Sequence, residues 1–216
     1  MKIIKRPHPI DREIVLDPMR TIMSKTDKKG IIEFANDYFM EISGYKEWEL
    51  MGQPHNVIRH PDMPKVIFKL LWKRLENGQN IHAIVKNLAK DGSYYWVVTD
   101  FQTTYNTDGT VRAYYSRRKA IPQHVKAYFN DLYKLLLDIE KTGGMEASYA
   151  YLYGLLEDKN ISYDNFILEI FGLSEKELTN YMKAQISDKD MLKSELLSPE
   201  EAIKKNKRKG FLSKFF

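Results

Sequence analysis

Residues 81–121, IHAIVKNLAKDGSYYWVVTDFQTTYNTDGTVRAYYSRRKAI, constrain the fold more than any other stretch of the chain. Three runs rich in β-branched and aromatic residues are separated by Asp91-Gly92 and Asp108-Gly109. Asp-Gly between such runs is the strongest short hairpin signal. A three-stranded antiparallel meander is therefore expected.

The elements before it are short. A strand at 21–24 precedes the turn-forming TDKKG, and IIEFA at 31–35 reads as a second strand. Asn36 and Asp37 then offer an N-cap to DYFMEISG, which stops at Gly44 as a helix should. YKEWELMG, ending at Gly52, reads as another short helix. Asp62 and Pro64 open a longer one that stops at Asn77-Gly78. On it Val66, Leu70 and Lys73 share one side, and Phe68, Leu71, Trp72 and Leu75 another. Two strands, several short helices and a meander make an α+β unit over residues 20–120.

Pro122 marks the exit from that unit. Val125, Phe129, Leu132, Leu136 and Ile139 form a helical stripe over 124–140, broken by Thr142-Gly143-Gly144. MEASYAYLYGLLEDKN, SYDNFILEIFG and SEKELTNYMKAQI read as three more helices. Ser174 with Glu177, and Ser198 with Glu201, are capping-box pairs. The expected organisation is an N-terminal extension at 1–19, the α+β unit at 20–120, an all-helical region at 121–203 and a basic, aromatic tail at 204–216.

Charge is concentrated in that tail. KKNKRKGFLSKFF holds six of the 34 basic residues and no acid. The remaining 28 basic residues face 29 acidic ones, a net of −1, so no basic nucleic-acid face is expected on the globular part. Cysteine is absent, which excludes disulfides, thiolate metal sites and cysteine nucleophiles. MKIIKRPHPIDRE carries charge throughout and is not read as a signal peptide, and no uncharged run reaches membrane-spanning length. Neither a glycine-rich phosphate loop nor HExxH nor GxSxG is present, so the chain is read as a non-enzyme.

The most unusual chemistry sits in QPHNVIRHPDMP, residues 53–64. Two histidines, one arginine, one aspartate and three prolines crowd twelve positions just before the longer helix. Such a cluster suits a polar, electron-rich ligand.

Taken together, AND at 35–37 with FMEISGY, GQPHNVIRHPDMP at 52–64, IVKNLAKDGSYYWV at 84–97 and the strand after Asp108-Gly109 resemble a PAS domain. Within that superfamily they are most similar to the flavin-binding PAS domain of bacterial aerotaxis and energy-taxis receptors. The resemblance implies an α+β PAS fold, a five-stranded antiparallel sheet with short helices, followed here by an all-helical C-terminal region. It also implies FAD held non-covalently, with its redox state as the signal. The family's flavin-contacting positions that match are Asn36, His55, Arg59, His60, Asp62, Asn87 and Tyr95. Trp72 joins them as a candidate wall, although its helical spacing with Phe68 and Leu75 also suits a core residue. Where the family often has a tryptophan ahead of the IVKN strand, this chain has Ile81.

Each candidate has a chemical role and a plainer alternative. Asn87 offers one acceptor and two donors to the edge of a ring. Arg59 presents a planar fork suited to phosphate or anionic flavin, or to a structural ion pair with Asp62. The helix start at 62–65 exposes N–H groups that favour negative charge, while Asp62 is also a good N-cap. His60 is expected to titrate between pH 5 and 8. Tyr95 and Trp96 alternate, so one of them faces the interior.

The resemblance further implies a cytoplasmic redox or oxygen sensor that signals to a membrane-bound methyl-accepting chemotaxis transducer. A homodimer is a further expected partner. The tail, with Phe211, Leu212, Phe215 and Phe216 among its lysines, is suited to peripheral contact with the inner membrane. The alternatives are a ligand-free PAS dimerisation module and a haem-binding PAS gas sensor with His60 or His82 on iron.

Overall fold

A computed structural model describes residues 4–174 together with 176 and 177. Five antiparallel strands form one sheet in the order β2-β1-β5-β4-β3. They are β1 Ile22–Asp27, β2 Ile32–Ala35, β3 Ile81–Leu88, β4 Tyr94–Tyr105 and β5 Val111–Ala120. The meander is β3-β4-β5, and it reverses at the two Asp-Gly pairs, where Gly92 and Gly109 both have positive φ. β1 runs to Asp27, three residues beyond the expected strand, because β5 offers it a full ladder from Ile22–Arg118 to Asp27–Ala113.

Between β2 and β3 lie α1 Asp37–Ser43, α2 Glu47–Leu50, a 3₁₀ turn at His55–Ile58 and α3 Lys65–Glu76. Asn36 caps α1 by accepting from the Phe39 N–H at 3.1 Å, and Gly44 ends it in the left-handed conformation. The 3₁₀ turn is tied to both sides of the domain. Ile31 bridges to Pro54, and Arg59 bridges to Asn87 of β3. The turn and α3 thus close over one face of the sheet.

α3 begins one residue after Pro64, which is its N-cap and provides no side-chain bond. The expected cap, Asp62, lies upstream and pairs with Lys86 Nζ at 2.7 Å. The first turn is capped from elsewhere. Glu140 accepts from the Lys65 N–H at 3.1 Å and from the Val66 N–H at 2.9 Å. Sequence spacing alone could not reveal this, because the acceptor is 74 residues away from Val66.

The helical region packs on the opposite face of the meander. α4, Gln123–Asp158, is interrupted at Gly144 (φ 74°, ψ −179°), where the Thr142-Gly143-Gly144 break was expected. Val125, Phe129 and Leu136 on its first half are fully buried. Each such burial contributes on the order of 2 kcal/mol. Tyr133 stacks on Trp96 at 5.9 Å and donates its hydroxyl to the Ile84 carbonyl at 2.5 Å. α5, Tyr163–Gly172, starts at the N-cap Ser162 and buries Phe166, Ile167 and Ile170. β3 is therefore covered on both faces, which explains why seven of its eight residues are buried.

The segment before residue 20 lies along the β3-β4 hairpin. The Ile10 N–H donates to the Gly92 carbonyl at 2.8 Å and the Ile14 N–H to the Tyr94 carbonyl at 2.7 Å. The Ser174–Glu177 capping pair is formed, with the Ser174 N–H 2.8 Å from the Glu177 carboxylate. The rest of the expected helix to 186, the Ser198–Glu201 pair and the tail at 204–216 lie outside the described residues.

Candidate functional site

The strand registers fix which side chains share the inner face. Asn87 opposes Tyr95 and Val85 opposes Val97. Thr99 opposes Arg118, and Phe101 opposes Ser116. Ile22 and Ser24 of β1 then oppose Arg118 and Ser116. Because strand side chains alternate, all of these point to the side closed by the 3₁₀ turn and α3. Trp96 takes the other face and meets α4.

That side holds a cavity of about 340 Å³. Phe68, Leu71, Trp72 and Leu75 of α3 form one wall, and Val85, Phe101 and Tyr114 line the sheet side. The Trp72 ring meets Tyr114 edge-on at 5.5 Å. Gly30 stands at the border, where a Cβ would come within 3.3 Å of the Trp72 ring. The polar lining comes from His55, Arg59, Asn87, Thr99, Ser116 and Arg118, among others.

Three of these polar side chains have unused capacity. Asn87 Nδ2, Thr99 Oγ1 and Arg59 Nε are buried and lack hydrogen-bond partners. Buried polar atoms are normally paired, since an unpaired one costs about 1–3 kcal/mol. Their convergence on one cavity marks it as a place for a ligand with both donors and acceptors. Arg59 also lays its guanidinium 3.5 Å from the centre of the Phe68 ring. Burial, and then Arg6, lower its pKa to about 10, so it stays charged at neutral pH.

The floor of the cavity is a buried polar knot. Arg118 donates to Ser24 Oγ at 3.1 Å, to Ser116 Oγ at 2.6 Å and to His55 Nε2 at 2.7 Å. His55 must accept from the guanidinium through Nε2, which puts its proton on Nδ1. Burial, and then Arg118, hold its pKa well below the ordinary histidine value, so it is neutral. The His55 ring also stacks on Phe39 at 5.9 Å.

Of the eight residues singled out from the sequence, His55, Arg59, Trp72 and Asn87 line the cavity. Tyr95 shares the inner face with them and is fully buried, but it is not part of the lining. Burial raises its pKa above the ordinary tyrosine value, and its hydroxyl has no hydrogen-bond partner. The other three have different work. Asn36 spends its side chain on Phe39 N, on Met23 N and on the Thr21 carbonyl, which fixes α1 against β1. Asp62 sits with Lys86, Trp96 and Tyr133 in the groove beside α4. It pairs with Lys86 rather than with Arg59.

His60 is buried next to Tyr94, and its Nδ1 accepts from the Asp62 N–H at 3.1 Å. Burial, reinforced by Lys86 and opposed by Asp62, lowers its pKa to about 4. It does not titrate between pH 5 and 8 as expected. The N–H groups at the start of α3 are likewise not open to a ligand, since Glu140 occupies them.

Sequence reasoning passed over Arg118, Ser24, Ser116 and Thr99. The signal for two of them was present. Ser116 and Arg118 are two apart on a strand, so they share a face, and Arg117 between them points out to Asp100 at 2.8 Å. Which face was inner could not be read from that spacing.

Residues 32–116 match the family described as the PAS fold. The aerotaxis receptor of Escherichia coli (strain K12) is 39% identical over 130 residues, covering 60% of this chain and 26% of that protein. The bacterioopsin transcriptional activator of Halobacterium salinarum is 29% identical over 122 residues, covering 54% of this chain and 18% of that protein. The chain thus spans about a quarter or less of the length of these relatives. A solved light-oxygen-voltage domain, studied with a flavin analogue, is 21% identical with a TM-score of 0.47, covering 52% of this chain and 86% of that one.

Proposed function

We propose that this chain carries a PAS-fold sensor domain, similar to that of the aerotaxis receptor, which binds FAD and relays its redox state to a partner. The observation that carries this reading is the meeting of Asn87 Nδ2, Thr99 Oγ1 and Arg59 Nε, all buried and unpartnered, on one aromatic-walled cavity. A flat fused ring with donors and acceptors along one edge has the chemistry those groups lack. The cavity, about 340 Å³, is at the lower end of the range for small-molecule sites, roughly 300–1,000 Å³, and suits such a ring rather than a whole dinucleotide.

When bound, FAD supplies a ring that changes charge and hydrogen bonding with oxidation state. Asn87 and Thr99 would hold its polar edge, and Phe68, Trp72 and Tyr114 would exclude water from the ring. Arg59, stacked on Phe68, ties the cavity wall to α3. α3 in turn holds the helical region. Its N-terminus is bonded to Glu140, and Lys73 lies 5.9 Å from the centre of the Tyr149 ring. A shift of α3 in response to the ligand therefore acts on both halves of α4, which is the physical requirement for a relay. In this reading residues 20–120 are the sensor and 121–203 the output region, acting by protein contact on a methyl-accepting transducer. Among the described residues no helix is long and apolar enough to cross a membrane. The membrane partner and any contact by the 204–216 tail belong to the proposal, as do a cytoplasmic location and a homodimer.

Haem is less well supported. His60 and His82 do not line the cavity, and the one histidine that does, His55, spends Nε2 on Arg118. One absorbance spectrum tests the reading. Purified protein, or protein reconstituted with FAD, should show the two flavin bands. A colourless chain that takes up no FAD overturns it and leaves the interaction module, whereas a Soret band points to haem.

A further inference from the structure

α3 has two working faces, and the proposed flavin site uses only one. Phe68, Leu71, Trp72 and Leu75 line the cavity. Leu70, Lys73, Arg74 and Asn77, at the same i, i+3, i+4, i+7 spacing, line a separate cleft of about 810 Å³. The opposite wall of that cleft is the end of α4 and the start of α5, with Leu156, Ile161 and Tyr163. The two spaces share no lining residue. A cleft of this volume is within the range that holds small molecules, roughly 300–1,000 Å³.

Two polar groups of the cleft lack partners. Arg74 directs Nη1 to Asp164 at 2.7 Å and Nη2 to the Asn80 carbonyl at 3.2 Å, but its Nε is buried without a hydrogen-bond partner. The Tyr163 hydroxyl is also buried and unpartnered, while Tyr133 beside it gives its own proton to the Ile84 carbonyl. Buried donors are normally met, so what is missing here is an acceptor. Lys73 adds a second positive charge, against one acid in the lining, Glu157. That balance suits a single negative charge. The remaining wall is apolar, with Leu70 and Leu156 both buried.

We infer that this cleft is a second ligand site, for a small organic monocarboxylate with an aliphatic body. The carboxylate accepts from Arg74 Nε and the Tyr163 hydroxyl beside the Lys73 charge, as charge-assisted bonds favour. The aliphatic part lies on Leu70, Leu156 and Ile161. A ligand held there ties α3 to the turn between α4 and α5. Through Arg74 it bears on Asp164, which also accepts from the His82 N–H at 2.8 Å and so joins α5 to the start of β3. The site is an input to the helical region that does not pass through the cavity. Since α3 walls both spaces, any coupling between them is reciprocal.

Hexanoate and hexanamide share a chain and differ in charge. Each is titrated into the full-length protein, labelled with nitrogen-15, while the amide NMR spectrum is recorded. Hexanoate should move the N–H signals of Asn77, Asn160 and Ile161 and leave those of Asn87 and Thr99 in place. Its dissociation constant should be at least tenfold lower than that of hexanamide, and an equal concentration of inorganic phosphate should not displace it. Lys73→Gln and Tyr163→Phe should each weaken hexanoate at least threefold. Both keep the Arg74–Asp164 pair, and the same spectra report whether each variant is folded. Asn87→Ala, in the cavity, should leave the affinity unchanged. Equal affinities for acid and amide, or no movement in the cleft, overturn the inference. So do movement confined to the cavity, displacement by phosphate, or full affinity in both cleft variants. FAD uptake is read separately by absorbance, so its failure leaves the cleft standing and the failure of the cleft leaves FAD standing.

Discussion

Glu140 caps a helix to which it does not belong: its Oε1 accepts the Val66 N–H at 2.9 Å, and Ser148 donates to the same oxygen at 3.2 Å. One carboxylate therefore joins the start of α3 to both halves of α4, across the break at Gly144. It also complements the positive end of the helix dipole. Glu140→Ala should lower stability by about 1 kcal/mol, the usual cost of losing a cap. For a chain of this size that is a fall of roughly 2–4 °C in Tm by calorimetry. Glu140→Gln, which keeps an acceptor, should lose less; equal Tm in all three proteins would remove Glu140 from the cap.

Gly144 should be intolerant of any side chain. Its φ of 74° and ψ of −179° fall in a region used almost only by glycine, although a Cβ there would meet no atom within 4 Å. The cost of Gly144→Ala is thus conformational, on the order of 1–3 kcal/mol, and can be relieved by straightening α4. Straightening would pull Ser148 from Glu140 and Glu146 from Lys69, which are now bonded. Since the chain has no cysteine, a pair introduced on α3 and beyond Gly144 can be spin-labelled cleanly. The inter-label distance should increase in Gly144→Ala.

Stability should fall with acid well before the carboxylates titrate. His60 has a folded pKa of about 4, and His55 is also held well below its ordinary 6.5. Between those values the unfolded chain binds protons that the folded chain refuses. Stability is therefore full above pH 6.5 and declines as the pH drops toward 4, by up to about 1.4 kcal/mol per unit for each histidine. Urea midpoints at pH 7.5 and 5 measure it. His60→Gln should shrink the difference between them, and an unshrunk difference would assign the loss elsewhere.

Cofactor occupancy should follow the cavity lining rather than the sequence cluster. Asn87→Ala and Arg59→Ala each remove a group with an unpartnered buried atom in the cavity and should lower FAD content severalfold. Asp62→Ala removes the partner of Lys86 in the groove beside α4 and should leave FAD content near wild type. The flavin-to-protein absorbance ratio after purification decides between them. A loss in Asp62→Ala equal to that in Asn87→Ala would return Asp62 to the site.

Periodicity and turn chemistry by themselves determined the meander, the cap of α1, the stop at Gly44 and the break near Gly144. Each is a local choice, made by residues within a few positions of one another, so a linear reading captures it. The cluster at 53–64 was also legible as unusual, and His55 and Arg59 do line the cavity. Only the tertiary structure decided how that cluster divides. His55 and Arg59 turn inward, while Asp62 pairs with Lys86 of β3, 24 residues on. The cap on α3 and the knot around Arg118 join residues 74 and 94 positions apart. Such pairings follow from strand order and from which sheet face is covered, and burial then magnifies their electrostatics. No window of sequence carries that information.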